Sequence, residues 1–300
     1  MPPNITSATV YLGSSGHARP VFYEQAYLLG QKLAEQGIEL IFGGMNAGSM
    51  RTLCHGTMEH GGRVTGVIPT RIRDSERVYH DISALIDVET MWERKKLMFD
   101  MGDCLIMMPG GYGTLDEGLE AVYWKELGLH NKKILFINIE NYWSPLFDYI
   151  HESVKNGSMN QNTEKLYSVY NKTEDIDFSD LTLSQKKSDA GHYPHFEDEI
   201  FEQTRTPLIF DTPGLAETYK LMTALVTRQL SAHDRQIGVL NKNGQFDSLL
   251  DWVRIAAKER FITRHCPKLM TVRKTEKGLM KALEKIEHIV IDLHQDKWGD

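Results

Sequence analysis

Short apolar runs alternate with longer amphipathic segments through the first half of this 300-residue chain. The short runs have the continuous apolar character of buried strands, and the longer segments carry apolar residues at helical spacing. The predicted strands are residues 10–12, 39–42, 64–68, 85–88, 104–108 and 133–138. The predicted helices are residues 22–36, 50–60, 90–101, the segment after Pro109, and 145–154. Strands separated by helices predict an α/β fold with a parallel sheet flanked by helices.

The pattern returns in weaker form near the C-terminus. Residues 171–205 are polar with little periodicity, which predicts a linker. Beyond it, residues 208–211 align with 105–108, an offset of 103, and the same offset places 235–241 on 132–138. This unbroken register favours a degenerate α/β half-repeat over chance similarity. We therefore predict a nucleotide-binding catalytic domain over 1–170, a polar linker over 171–205, and a structural half-repeat over 206–300.

Composition narrows the classes of function. A formal net charge of -7 argues against a nucleic-acid-binding surface, which normally has a basic face. The three cysteines are scattered and form no CxxC pair, so neither a disulfide framework nor a zinc site is expected. Because the chain has no signal-like start and no apolar stretch long enough to span a bilayer, we predict a soluble, cytoplasmic protein without membrane contact. No metal and no cofactor are predicted.

The most informative segment is PGGYGTLDE, residues 109–117, between the strand at 104–108 and the start of a helix. Its glycines allow the backbone to approach a ligand closely, and the N–H groups of the helix start can bind a phosphate. Glu117 would repel a phosphate, so its position predicts chemistry on a phosphorylated molecule. The sequence places Asp116 on another side of the helix, as a charge favoured by the helix dipole.

Three further segments also follow predicted strands. They are GSSG (13–16), GGMNAGSM (43–50) and MWERK (91–95). The carboxyl ends of parallel strands meet at one edge of a sheet, where ligands bind in such folds, so these segments are expected to converge. Arg94 offers a bidentate group for a phosphate or a carboxylate.

These four motifs, in this order, resemble the LOG family of Rossmann-like nucleoside 5′-monophosphate phosphoribohydrolases. The resemblance covers about residues 10–169 and implies hydrolysis of the N-glycosidic bond of AMP, or of an N6-substituted AMP such as a cytokinin nucleotide. It places the catalytic pair at Arg94 and Glu117. Trp92 is a departure, because the family commonly has His there, and this leaves the base preference open.

The resemblance and the glycine turns together give the remaining site predictions. The predicted substrate-binding residues are Gly13, Ser14, Ser15, Gly43, Gly44, Gly48, Met91, Lys95, Gly110, Gly111, Tyr112, Gly113 and Thr114. A carboxylate beside C1′ can stabilise the oxocarbenium-like transition state and orient water, which is the role expected of Glu117. Arg94 could bind the phosphate or hold Glu117 ionised, and the sequence does not choose between these roles.

Other functions stay open at this point. A non-catalytic nucleotide- or cofactor-binding protein of the same fold is the main alternative. A pyridoxal-dependent lysine decarboxylase needs a Schiff-base lysine and a partner for the ring nitrogen, and nothing supplies the second. A dinucleotide oxidoreductase would need G-x-G-x-x-G after the first strand, and the GSSG segment at 13–16 does not provide it. A homodimer is expected, or else the half-repeat replaces the partner within one chain.

Overall fold

A computed structural model describes residues 5–70, 78–181, 193–202 and 206–284. Its larger sheet has seven strands. In chain order they are β1 (Ser7–Tyr11), β2 (Glu39–Phe42), β3 (Val64–Pro69), β4 (Ala84–Val88), β5 (Cys104–Met107), β6 (Lys133–Ile137) and β7 (Ser168–Tyr170). Their spatial order is β4-β3-β2-β1-β5-β6-β7, and every neighbouring pair is parallel. The predicted α/β fold with a Rossmann-like parallel sheet is confirmed.

Helices connect these strands as the periodicity predicts. They are α1 (Pro20–Glu35), α2 (Gly48–Glu59), α3 (Met91–Met101), α4 (Tyr112–Glu126) and α5 (Ser144–Lys155). The start of α3 is fixed by a capping box, in which the Thr90 side chain accepts from Glu93 N and the Glu93 side chain accepts from Thr90 N. This cap sets where α3 begins and so fixes the position of the basic residues in its first turn.

The strand order creates a switch point between β1 and β5. From β1 the chain builds β2, β3 and β4 on one side, and then returns to place β5 against the other side of β1. The loops after β1 and β5 therefore leave the sheet in opposite directions and open a crevice, which is where α/β sheets bind ligands.

A smaller parallel sheet follows in the second half. Its strands, in spatial order β10-β9-β8, are β8 (Leu208–Phe210), β9 (Ile237–Leu240) and β10 (Met270–Arg273), and its helices are α7 (Leu215–Gln229), α8 (Asp247–Lys258) and α9 (Glu276–Leu283). Helix α7 packs along α4, and α8 packs along α5. At the second contact the rings of Trp143 and Trp252 stack with centroids 5.7 Å apart. The two halves share one continuous hydrophobic core.

The segment 171–205 contains elements that the sequence analysis did not predict. Its described parts include two single-turn 3-10 helices and α6 (Glu197–Phe201). Ile176, Phe178 and Ile200 are buried in the core. Residues 182–192 and 203–205 of the predicted linker, and 285–300 of the predicted half-repeat, lie outside the described residues.

Candidate active site

Two loops meet where β1 and β5 end side by side. Gly13, just after β1, donates its backbone N–H to Pro109 O at 3.1 Å. A Cβ on Gly110 would lie 2.1 Å from Thr114 Oγ1 and 2.9 Å from Gly13 N. Only glycine at position 110 lets the loops approach this closely. The GSSG and PGGYGT segments therefore line the same end of the switch point.

Helix α4 begins directly after this glycine turn. Its N-cap is Gly111, and no side chain caps the helix start. The first backbone N–H groups of a helix have no intrahelical acceptor, and the helix dipole adds positive potential there. The turn is therefore able to bind an anion such as a phosphate through backbone donors.

The side chain of Tyr112 in this turn packs against the second half of the chain. Tyr112 is buried and its hydroxyl donates to Cys266 O at 3.3 Å. A Cβ on Gly111 would lie 2.9 Å from both Phe261 O and Ile262 Cγ2, so the second half packs directly against the turn. What Tyr112 can offer a ligand is its backbone N–H rather than its ring.

The second predicted glycine turn lies against the first loop. Gly44 and Gly48 have φ angles of 71° and 53°, which favour glycine. A Cβ on Gly48 would lie 2.2 Å from Ser15 O. Ser15 is buried, and its Oγ accepts from His17 N at 3.3 Å, whereas Ser14 is half-buried. The three segments at 13–16, 43–48 and 109–114 are thus neighbours in space.

Arg94 and Glu117 face each other beside these turns. Arg94 Nη1 lies 3.7 Å from Glu117 Oε1, and the two side chains are only 11% and 13% exposed. Arg94 Nε donates to Val67 O at 3.0 Å, and Nη2 donates to Gly43 O at 3.2 Å. A Cβ on Gly43 would lie 2.0 Å from Arg94 Nη2, so this glycine makes room for the guanidinium. Backbone carbonyls near the ends of β2 and β3 therefore aim Arg94 at Glu117.

The environment of Glu117 places its titration near neutral pH. Burial raises the pKa of Glu117 to about 7; the positive charge of Arg94 opposes this rise, and the nearby Asp116 adds to it. A carboxyl with a pKa near the working pH is suited to general acid–base chemistry, because both of its protonation states are populated.

A buried ion network lies next to this pair. Lys95 Nζ contacts Asp116 Oδ2 at 2.9 Å and Glu120 Oε2 at 2.8 Å. Thr223 Oγ1 donates to Asp116 Oδ1 at 2.5 Å, and Tyr219 OH donates to Glu120 Oε2. All five side chains are buried. The ammonium of Lys95, a predicted substrate ligand, is therefore directed at these carboxyls.

The sequence analysis did not predict this network. It treated Asp116 as a helix-start charge and did not select Glu120, Tyr219 or Thr223. The available signal was the spacing of Asp116 and Glu120, since carboxyls at i and i+4 share one helix face and need a cation when that face is buried.

An aromatic wall flanks the start of α3. Met91 is the first residue of the helix and is half-buried. The ring of Trp92 stacks on His195, with centroids 4.1 Å apart and an interplanar angle of 28°, and meets Trp124 edge to face at 5.9 Å. The structure therefore sets an imidazole from the segment 193–202 against the tryptophan that departs from the family pattern.

The described residues contain neither a metal-binding cluster nor a membrane-spanning helix. Among them, no group of three or more His, Cys, Asp or Glu side chains is arranged to hold a metal ion. In the same ranges, none of the helices has both the length and the apolar character needed to cross a membrane.

Comparison with known proteins gives related sequences over the first half. The family model described as "Possible lysine decarboxylase" matches residues 50–177. A cytokinin riboside 5′-monophosphate phosphoribohydrolase from Arabidopsis thaliana is 36% identical over 148 residues, which is 49% of this chain and 65% of that protein. A protein of the same name from Rhodococcoides fascians is 35% identical over 156 residues, which is 52% of this chain and 79% of the relative.

Among solved structures, the molybdenum cofactor binding protein of Rippkaea orientalis aligns with a TM-score of 0.44 and 21% identity. The alignment covers 56% of this chain and 90% of that protein.

Proposed function

The chain belongs to the LOG family, and we propose that it hydrolyses the N-glycosidic bond of a purine nucleoside 5′-monophosphate. The substrate class is AMP or an N6-substituted AMP such as a cytokinin nucleotide, and the products are the free base and ribose 5-phosphate. The names of the Arabidopsis and Rhodococcoides relatives motivate this choice. The observation that carries the proposal is the Arg94–Glu117 pair, 3.7 Å apart beside an uncapped glycine turn.

The glycine turn binds the 5′-phosphate in this proposal. Backbone N–H groups at the start of α4 donate to the phosphate oxygens, as helix N-termini commonly do. Glu117 lies five residues after Tyr112, the first residue of α4, which is a rise of about 7.5 Å along the helix. A phosphate held at the helix start therefore presents the attached ribose to the carboxylate without bringing the two negative groups together.

Glu117 acts at C1′. As the C1′–N9 bond breaks, its electron pair leaves with the base and positive charge grows on the ribose. The ionised carboxylate stabilises this charge, orients a water toward C1′, and accepts a proton from it as the new C1′–O bond forms. The departing base takes up a proton, which comes from Glu117 or from solvent.

Arg94 holds Glu117 in its reactive state. Two backbone carbonyls fix its guanidinium, which leaves Nη1 directed at the carboxylate. The positive charge favours the ionised form of Glu117 against the effect of burial.

The description of the family model suggests lysine decarboxylation instead, and the surroundings of Lys95 argue against that chemistry. Burial disfavours its charged form, but Asp116 and Glu120 outweigh burial and hold the pKa of Lys95 well above its usual value. A Schiff-base lysine must lose its proton to attack a carbonyl carbon. The ion pairs of Lys95 with Asp116 and Glu120 favour the protonated form instead.

The test is incubation of the purified protein with AMP, GMP, CMP and N6-isopentenyl-AMP, with chromatography of the released base. Glu117→Gln is the catalytic variant, because it removes the carboxylate and keeps the shape of the side chain. Glu24→Gln on the exposed face of α1 is the matched control. We expect release of a purine base by the wild type and the control, with a loss of at least about 100-fold in Glu117→Gln.

Equal rates in Glu117→Gln and Glu24→Gln would remove Glu117 from the mechanism. Binding of the nucleotides without any release of base would favour the alternative, a non-catalytic nucleotide- or cofactor-binding protein.

A further inference from the structure

Helix α7, in the second half of the chain, places two hydroxyl groups beside the catalytic helix. Tyr219 OH donates to Glu120, and Thr223 Oγ1 donates to Asp116. Both acceptors also bind Lys95 on α3. Helices α3, α4 and α7 are therefore joined by a single buried network.

Building on the proposed hydrolase function, we propose that Tyr219 and Thr223 are positioning residues that fix the orientation and ionisation of Glu117. They act through the two carboxyls that flank Glu117 on α4. Neither hydroxyl touches the reacting atoms.

The network fixes the position of α4 relative to α3. Arg94 and Lys95 are consecutive on α3, and Asp116 and Glu117 are consecutive on α4. Lys95 ties these two helices together through Asp116 and Glu120, and α7 holds the same carboxyls from the other side. A shift of α4 relative to α3 would separate Arg94 from Glu117, and displacements of about 1 Å cost active sites up to about 100-fold in rate.

The network also sets the balance of charge around Glu117. Two cations, Arg94 and Lys95, share the site with three carboxyls, so one negative charge is left without a cation when all three are ionised. Burial raises the pKa of Glu120 to about 7, while Lys95 and the bond from Tyr219 oppose the rise. Glu120 and Glu117 therefore compete for a proton, and Tyr219 favours the charged form of Glu120.

Other ionisable groups face the same cluster. Tyr11 on β1 interacts with Glu117 and Glu120, and Glu197 on α6 interacts with Lys95. Neither donates a hydrogen bond to the two α4 carboxyls in the described part of the chain. Among the neighbours on β1, α6 and α7, the direct donors are thus the two hydroxyls of α7.

The offset of the predicted half-repeat pairs the two hydroxyl residues with the two carboxyl residues of α4. At the offset of 103, Tyr219 corresponds to Asp116, and Thr223 corresponds to Glu120. Asp116 contacts the counterpart of Glu120, and Glu120 contacts the counterpart of Asp116. Such reciprocal pairing is the mark of a twofold interface between two copies.

Backbone geometry supports the same correspondence. Residues with positive φ occur in pairs at this offset, among them Gly128 with Ser231 and Glu140 with Asn243. His130 binds Ala121 O at 2.8 Å, and His233 binds Ala224 O at 3.0 Å, again at the same offset.

The substitutions in the copy are chemically complementary. Two copies that both carried Asp and Glu at these positions would bring buried carboxylates against each other, which is unfavourable. The second half carries Tyr and Thr instead, so each carboxyl meets a hydroxyl donor. The second half thus provides hydroxyl donors at the positions where the first half has carboxyl acceptors.

The experiment compares Tyr219→Phe and Thr223→Val with two controls. Tyr149→Phe also removes one buried hydroxyl bond between the halves, to Thr218 Oγ1 at 2.8 Å, in which neither Lys95 nor its two carboxyl partners takes part. Thr223→Ser keeps the donor. The readouts are kcat and KM for AMP across neutral pH, and the titration of the Glu117 carboxyl by 13C NMR, with Glu117→Gln assigning its signal.

We expect kcat to fall about 3- to 10-fold in Tyr219→Phe and Thr223→Val, with KM within about twofold, because the loss is one of orientation in the transition state. Without the bond from Tyr219, Glu120 binds its proton at higher pH and repels Glu117 less. In Tyr219→Phe, the acid limb of the pH profile of kcat and the NMR titration of Glu117 should therefore both move to lower pH. Thr223→Ser and Tyr149→Phe should match the wild type in both readouts.

An active Tyr219→Phe enzyme with the kcat profile of Tyr149→Phe would overturn the assignment and leave the proposed function intact. If the wild type hydrolyses no nucleotide, the proposed function is wrong. The positioning role is then tested by the titration of Glu117 alone. A Glu117 titration that moves only in Tyr219→Phe supports the positioning role, and one that is identical in both Phe variants overturns it.

Discussion

Replacing Arg94 by Gln removes the cation paired with Glu117 while keeping a side chain that can donate to the backbone carbonyls. The guanidinium lies 3.7 Å from the carboxylate, and both side chains are about nine-tenths buried. At an effective dielectric constant of about 20, two unit charges at about 4 Å attract by about 4 kcal/mol. Because Arg94 lowers the pKa of Glu117, its loss must raise that pKa.

Measured shifts for carboxylates beside arginine are about one to three pH units, smaller than full Coulomb attraction would give. We expect the acid limb of kcat for AMP hydrolysis to move up by about one to two pH units in Arg94→Gln. Since the pKa of Glu117 starts at about 7, the ionised fraction at pH 7 then falls several-fold to about 50-fold. The difference in rate between Arg94→Gln and the wild type should shrink at higher pH, where Glu117 is ionised in both enzymes.

Arg94→Lys is the matched control for charge. It keeps a cation near Glu117 but cannot reproduce the fork that binds both carbonyls. Its acid limb should stay near that of the wild type while its rate falls. An Arg94→Gln enzyme with a slow but unshifted pH profile would refute the reasoning, because the loss would then be one of position and not of charge.

Two further predictions concern stability and packing. Since burial raises the pKa of Glu117 to about 7, the wild type loses folding stability as pH rises from the unfolded value of about 4.3 through 7. Glu117→Gln should therefore unfold in urea nearly like the wild type near pH 4.5, but be about 3 to 4 kcal/mol more stable at pH 8; an equal difference at both pH values would contradict this. Gly43→Ala would place a methyl group 2.0 Å from Arg94 Nη2, so we expect a loss of kcat of at least about tenfold. Gly214→Ala, whose Cβ would lie 3.6 Å from Ser158 O, is the control, and equal activity of the two would show that Arg94 can move.

The order of the elements around the crevice and the segments that line it could be predicted from local sequence patterns. Hydrophobic periodicity and glycine turns are local signals, and the rule that parallel strands share their carboxyl ends turns them into a position in space. Arg94 and Glu117 lie in two of these segments, the resemblance to the LOG family selected them as the catalytic pair, and in the structure they face each other. Strand β7 was not predicted, because its three residues lie at the edge of the sheet with mostly exposed side chains and carry no apolar run.

The contacts that hold this pair in place become visible only in the folded chain. The hydroxyls of Tyr219 and Thr223 reach carboxyls about a hundred positions earlier, and in sequence a tyrosine and a threonine on a helix look like ordinary packing residues. Lys95 was predicted to bind substrate because it is a cation of the MWERK segment, next to Arg94. Its ammonium turns inward because successive residues on a helix point about 100° apart, and burial then makes its two carboxyl partners necessary.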